Sequence, residues 1–278
     1  MKSIVAEKLK LKYEPTAILW SNTKPEGALQ IKPHAYACVM MFFAQVAVKG
    51  KTAVFDRESY GCPGARAGLG FGNGFEGAFG GEGTDFVCAF LTKGAESSKN
   101  PEAYRQMVQH VPERERPKFL YGERIYRNVE RATKHIENFP ITDIPEKYVI
   151  FTPLSKVKPG EHPVAVVFLV DPLQVTGLAT LIGSFYEGLD AVYLPPVSGC
   201  EQIGAMVYEE AKREHPRAVL GFTDPTAREN VGKTIPRNMF TFAVPYKLFE
   251  EMEEATYDGL FESPTWKALT GDQEGTAG

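Results

Sequence analysis

The residues best suited to chemistry are four cysteines, Cys38, Cys62, Cys88 and Cys200. A thiolate is both a nucleophile and a soft metal ligand. In Gly61-Cys62-Pro63 the proline marks a first helical position, so Cys62 is expected near a helix cap. Cys200 follows Gly199 and opens a segment with an apolar face at Ile203, Met206, Val207 and Ala211. Cys38 opens an apolar helix running to Val48. A thiol at a helix start meets exposed N–H groups and a partial positive charge, which push it toward thiolate. Three such thiolates would hold an iron–sulfur cluster of the 4Fe-4S kind, leaving one iron for Asp224, a substrate or a small ligand. No CxxC pair is present, so a zinc knuckle is not indicated and the fold must gather the ligands. Four cysteines in a chain of 278 residues do not make a disulfide framework. Cys88 lies inside the apolar run Phe86 to Leu91, read as a strand, and is expected to be core.

Asp224 before Pro225 is foremost a helix cap, with ligation of iron or proton movement as an added role. Asp224 and Arg228 are the catalytic candidates; Arg57 and Arg66, near the Cys62 turn, are candidates to bind a substrate carboxylate or phosphate. A competing reading follows: a metal-free protein that captures a small anion with helix N-termini and arginines. A thiol redox enzyme using Cys62 and Cys200 is a third, without a resolving CxxC. His34 follows Pro33 and reads as a surface or cap histidine. The glycine-rich stretch 68–83 contains a literal GxGxxG at Gly72 to Gly77, but a dinucleotide fingerprint must sit between a strand and a helix, and this one follows a helix. It reads as a long loop, either a lid near Cys62 or plain surface. Phe71, Phe75 and Phe79 recur every four residues along it and are placed to cover an apolar ligand or a dimer partner.

Strand-like and helix-like patterns alternate along the chain, which predicts an α/β fold. Ala53 to Cys62 (AVFDRESYGC) aligns without a gap to Ala191 to Cys200 (AVYLPPVSGC). Each reads as a strand, a turn to Gly-Cys and a helix. The expectation is two similar α/β halves related by an internal pseudo-repeat, 1–145 and 146–260, with a cleft between them and a tail at 261–278, disordered from Gly271. In a parallel sheet the loops at strand carboxyl ends would line that cleft.

Net charge is −4 and the pI near 5.8, which argues against nucleic acid as the main partner. No apolar run approaches the roughly 18 residues that span a bilayer, so no membrane partner is expected. The first residues carry charges throughout and no apolar h-region, so the expected location is the cytoplasm. A homodimer is the default assembly; the expected partners are a small-molecule ligand or substrate and, for a cluster protein, a redox partner.

Several motifs then act together. Lys12-Tyr13-Glu14-Pro15-Thr16-Ala17, Cys38 at the head of its helix, Gly61-Cys62-Pro63-Gly64-Ala65 with Gly68-Leu69-Gly70, Cys200 and the stretch Gly221 to Arg228 resemble domain-of-unknown-function family 169 over roughly Leu9 to Glu254. The resemblance implies an anaerobic setting and supports the α/β reading without fixing an activity. It also implies a further cysteine in the loop matching Phe222 to Thr226, where this chain has Thr223-Asp224-Pro225, so an all-cysteine four-ligand site is not expected.

Overall fold

The computed structural model describes residues 1–81 and 83–271. In chain order the first elements are α1 (Ile4–Lys8), β1 (Thr16–Ser21), β2 (Leu29–Gln30), α2 (Val39–Lys49), β3 (Ala53–Phe55) and α3 (Pro63–Leu69). A helical region follows: α4 (Asp85–Leu91), α5 (Pro101–Val108), α6 (Arg116–Tyr121) and α7 (Val129–Asn138). Then come β4 (Tyr148–Pro153), β5 (Ala165–Val170), α8 (Pro172–Gly183), β6 (Val192–Tyr193), α9 (Gly199–Ile203) and α10 (Ala205–Ala211). The chain ends with β7 (Ala218–Gly221), α11 (Pro225–Val231), β8 (Phe240–Pro245), α12 (Tyr246–Glu254) and α13 (Pro264–Thr270).

The fold is mixed α/β around one eight-stranded sheet of order β2-β3-β4-β1-β5-β8-β7-β6. It is mostly antiparallel, not the parallel sheet expected from alternating patterns; only the outer pairs β2–β3 and β6–β7 run parallel. At the centre β1 and β5 cross with Ala17 opposite Val166. Going outward, all six residues of β1 pair with β4, Thr16 with Pro153 and Ser21 with Tyr148. All six of β5 pair with β8, Ala165 with Pro245 and Val170 with Phe240. Beyond them, Ala53 meets Phe151 on one side and Val219 meets Ala243 on the other.

These positions correct the sequence alignment. The strand at Ala53 has partners on both sides, whereas the strand after Ala191 is an edge, so the two aligned segments occupy different places in the sheet. β4, which follows residue 145, pairs with β1 and β3.

Helices cover both faces. Ala165, Val167 and Leu169 of β5 join the core under α2, α3, α7, α9, α10 and α11, while Val166, Phe168 and Val170 join the opposite core under α1, α8, α12 and α13. A strand buried on both faces reads as a continuous apolar run, as β5 does. Phe86 to Leu91 is also such a run but forms α4, not a strand. Phe86 and Ala89 pack with Tyr104, Val108 and Phe119, while Val87 and Cys88 pack with Ala132 and Ile136. An apolar run buried on two sides has no period to read. The segment assigned to the tail contains α13, whose Trp266 is buried against α8; residues 272–278 lie outside the described residues. Among the described residues no helix is long and apolar enough to cross a membrane.

Candidate functional site

Three helix starts bring the site together. Cys38 is the N-cap of α2, Cys62 the N-cap of α3, and Cys200 sits in the first turn of α9, capped by Ser198. Asp224 is the N-cap of α11. All four line one cavity of about 420 Å³, together with Glu123 and Glu201.

Close backbone contacts hold these turns against one another. Gly61 has φ 96°, and a Cβ there would lie 2.3 Å from the Ala37 carbonyl oxygen, so only glycine lets the Cys62 turn press on the residue before Cys38. A Cβ on Gly204 would lie 2.0 Å from the Gly68 carbonyl oxygen, which brings α3 against the α9–α10 junction. On the other side α11 packs on α2. Asp224 ties these parts together. Its Oδ1 accepts from the Thr226 and Ala227 N–H groups at 2.8 and 3.2 Å, and its Oδ2 accepts from Gly199 N–H at 3.3 Å. The buried Gln202 side chain spans the same loops, donating to Pro195 O and Thr223 Oγ1 and accepting from Phe222 N–H.

Burial, not the helix N-termini, sets the thiols. Desolvation pushes the Cys62 thiol up to about 12, outweighing the Ala65 N–H that bonds its sulfur, and the nearby Cys38, Glu201 and Glu123 add to the rise. Cys200 is raised well above the ordinary thiol value by burial, then by Cys62 and Glu201. Cys38 is raised by burial, partly offset by a hydrogen bond from Asn230. The expected thiolates are therefore thiols in the metal-free protein.

The acids behave alike. Burial raises Glu123 to about 7 against an opposing hydrogen bond from Thr226, and Glu201 to about 7 against bonds from Ser198. The described lining contains no lysine or arginine, and burial lowers its one histidine, His135. Among the described residues no group of three or more His, Cys, Asp or Glu side chains is placed to hold a metal ion.

The candidate arginines are elsewhere. Arg57 pairs with Asp143 at 2.7 Å and donates to Ile144 O; Arg66 donates to Phe71 O at 3.1 Å. Arg228 donates to the carbonyls of Arg237 and Met239 and stacks on Phe222 and Phe240. None lines the cavity. Cys88 is core as expected, its sulfur 3.4 Å from Thr133 Oγ1, and His34 is an exposed residue with φ 59°. Of the loop phenylalanines, Phe71 is buried away from the cavity, while Phe75 and Phe79 line it.

Sequence reasoning missed Glu123 and Glu201. For Glu201 there was a signal: Ser198-Gly-Cys-Glu201 has the spacing of a capping box, and the structure forms one. Glu123 lies in irregular chain after α6 and carried none.

A model of the family described as "Uncharacterised ArCR" matches residues 4–255. No curated protein and no solved structure matches the chain.

Proposed function

The chain belongs to that family, domain-of-unknown-function family 169, and since its description assigns no activity, we propose from the site itself that this is a metal-centre protein of the iron–sulfur kind, with Cys38, Cys62 and Cys200 as sulfur ligands and Asp224 as the fourth donor. The observation that carries the proposal is the composition of the cavity lining. It includes three of the four cysteines and three carboxyl side chains, with no described lysine or arginine among them. The cysteine thiols and the two glutamates, raised by burial first and by neighbouring negative charge second, are a set that a cation would relieve, because each thiol ligand must give up its proton on binding. An anion would meet three carboxyls without a counter-charge, so the lining favours the metal reading over small-anion capture. Soft sulfur suits iron–sulfur chemistry.

We infer an internal repeat from the ladders, and it supports the ligand set. With Ala17 taken as equivalent to Val166, the ladders map Thr16 to Ala165, Pro153 to Pro245, Ala53 to Val219 and Leu29 to Tyr193. Strand order and direction then agree on the two sides. On this register α2 corresponds to α9–α10 and α3 to α11. The Cys38 turn thus matches the Ser198–Cys200 turn, and Cys62 matches Asp224, both as N-caps after inner strands. The contacts α2–α11 and α3–α9 exchange under the same mapping.

When bound, such a centre supplies electron transfer, or Lewis acidity at the iron not held by cysteine. Around it, Gly199 N–H and the first turn of α11 orient Asp224, and Glu123 and Glu201 sit in the same cavity as groups that gain and lose a proton near neutral pH.

The test is anaerobic purification of the full chain with assays for iron and acid-labile sulfide and a visible spectrum. Iron and sulfide are expected in the wild type and Cys88→Ser, and lost in Cys200→Ser and Cys62→Ser. Serine is a better N-cap than cysteine, so Cys62→Ser should hold or raise the stability of the metal-free chain while losing the metal. Protein that carries zinc alone, or that binds no iron after reconstitution, overturns the proposal.

A further inference from the structure

Beside these cysteines and acids the cavity has an aromatic lining: Tyr36, Phe75, Phe79, Phe86, Phe90 and Phe119. These rings are fixed by one another. Phe119 stands edge-on to Tyr36 at 5.7 Å and stacks on Phe90 at 4.4 Å, and Phe79 lies 4.6 Å from Phe86. They come from separate elements: the loop before α2, the glycine-rich loop, α4 and α6. Phe79 is delivered with φ 58°, ψ 25°, a left-handed conformation that costs a bulky residue of order 1 kcal/mol or more. The mouth is apolar too: Ile125 and Leu194 line the cavity and are 45% and 50% exposed.

Size and water then decide what this lining is for. About 420 Å³ lies in the range of sites that hold a whole organic molecule, well above what an ion needs. Filled with water at about 30 Å³ each, it would hold on the order of fourteen molecules. A water needs two to four polar partners, and the phenylalanine rings offer none. Water against that lining is therefore poorly held, and an apolar group that displaces it gains affinity. Charge sets the rest of the specificity. Glu123, Glu201 and Asp224 face the same space without a described lysine or arginine, so a carboxylate, phosphate or sulfonate is repelled.

We propose that the aromatic lining of the cavity binds an apolar, ring-bearing small molecule without an anionic group and holds it beside the cysteines. This deepens the proposed function by naming its substrate class. It shares the cavity with the metal site but stands on the aromatic lining, so its test is made independent of the cysteines.

The experiment titrates the full-length chain, as purified, with three naphthalene probes: neutral N-phenyl-1-naphthylamine, anionic 1-anilinonaphthalene-8-sulfonate and a cationic naphthyl-trimethylammonium. The neutral probe is expected to bind one per chain with saturable fluorescence, and the sulfonate probe at least tenfold more weakly than either the neutral or the ammonium probe. Ile125→Glu and Leu194→Glu, both at half-exposed positions that leave the core intact, should each weaken the neutral probe at least tenfold. The triple variant Cys38→Ser, Cys62→Ser, Cys200→Ser should lose metal yet still bind the neutral probe. The proposal is overturned by non-saturable binding, by equal or tighter binding of the sulfonate probe, or by rim variants that bind as the wild type does. If the neutral probe binds as expected and the protein proves unable to hold iron, the metal reading fails and this one stands.

Discussion

At the scale of the residue, the site is a contest between burial and charge. Glu123 shows it most directly. Its carboxyl is half-buried among Asp224, Thr226 and the cavity wall, and burial raises it from the ordinary carboxylate range to about 7. An acid whose folded value exceeds its unfolded value is favoured in its protonated form by folding. The stability it contributes is full below the unfolded value near 4.5 and is lost as pH rises through about 7. The chelated, metal-free chain should therefore melt at progressively lower temperature between pH 5 and pH 8. Glu123→Gln, which keeps an oxygen to accept from Thr226, should flatten part of that slope and gain on the wild type at pH 8. Melting curves across the window check it; a wild-type melting temperature that climbs with pH sinks the assignment. Little of this was legible in the sequence. The cysteines announced themselves by residue type, and Asp224 by the proline after it. For the arginines, a charge near a motif does not say what it bonds: Arg66 donates its Nε–H to Phe71 O, five residues away.

At the scale of the element, the site exists because short helices meet at their starts without side chains between them. Gly68 and Gly204 make that approach possible for α3 and α9. Adding one methyl at Gly204 places a carbon 2.0 Å from the Gly68 carbonyl oxygen, and both neighbours are backbone. Backbone cannot swing aside as a side-chain tip does, so Gly204→Ala must separate the helices, at a cost of about 1–3 kcal/mol. At roughly 2–4 °C per kcal/mol for a chain of this size, melting should fall by several degrees. Because these helices carry Cys62 and Cys200, metal should be lost with it. Gly183→Ala, where nothing lies within 4 Å, is the control and should be neutral. A Gly204→Ala protein as stable as the control would contradict the close approach. The helix starts at Cys38, Cys62 and Asp224 were readable from caps and prolines. That α4 is a helix was not, since its burial on two sides removes the period that separates helix from strand.

At the scale of the whole molecule, strand order decides what a half is. Reading the chain as alternating strands and helices suggested a parallel sheet cut near residue 145, because sequence shows succession and not pairing. In the structure β4 sits between β3 and β1, so residues 1–145 lack the strand that joins their own sheet. The division that respects the ladders lies instead in the turn between β4 and β5. There Gly160 has φ 84°, a Cβ on it would meet nothing within 4 Å, and the neighbouring residues 158–162 are exposed. Each side of that turn is a four-stranded unit of the same order. The units join through the β1–β5 ladder, and Glu253 of α12 accepts from Ser3 Oγ and Ile4 N–H across the join. A chain cut there loses only a connection, whereas a chain cut at 145 strips β1 and β3 of the strand between them. Residues 1–159 and 160–278, co-expressed, should co-purify as a one-to-one complex. Residues 1–145 and 146–278 should yield far less complex, because the first fragment must stay soluble with β1 unpaired along both sides and β3 along one. Equal recovery from the two cuts would mean that the four-stranded unit is not what folds.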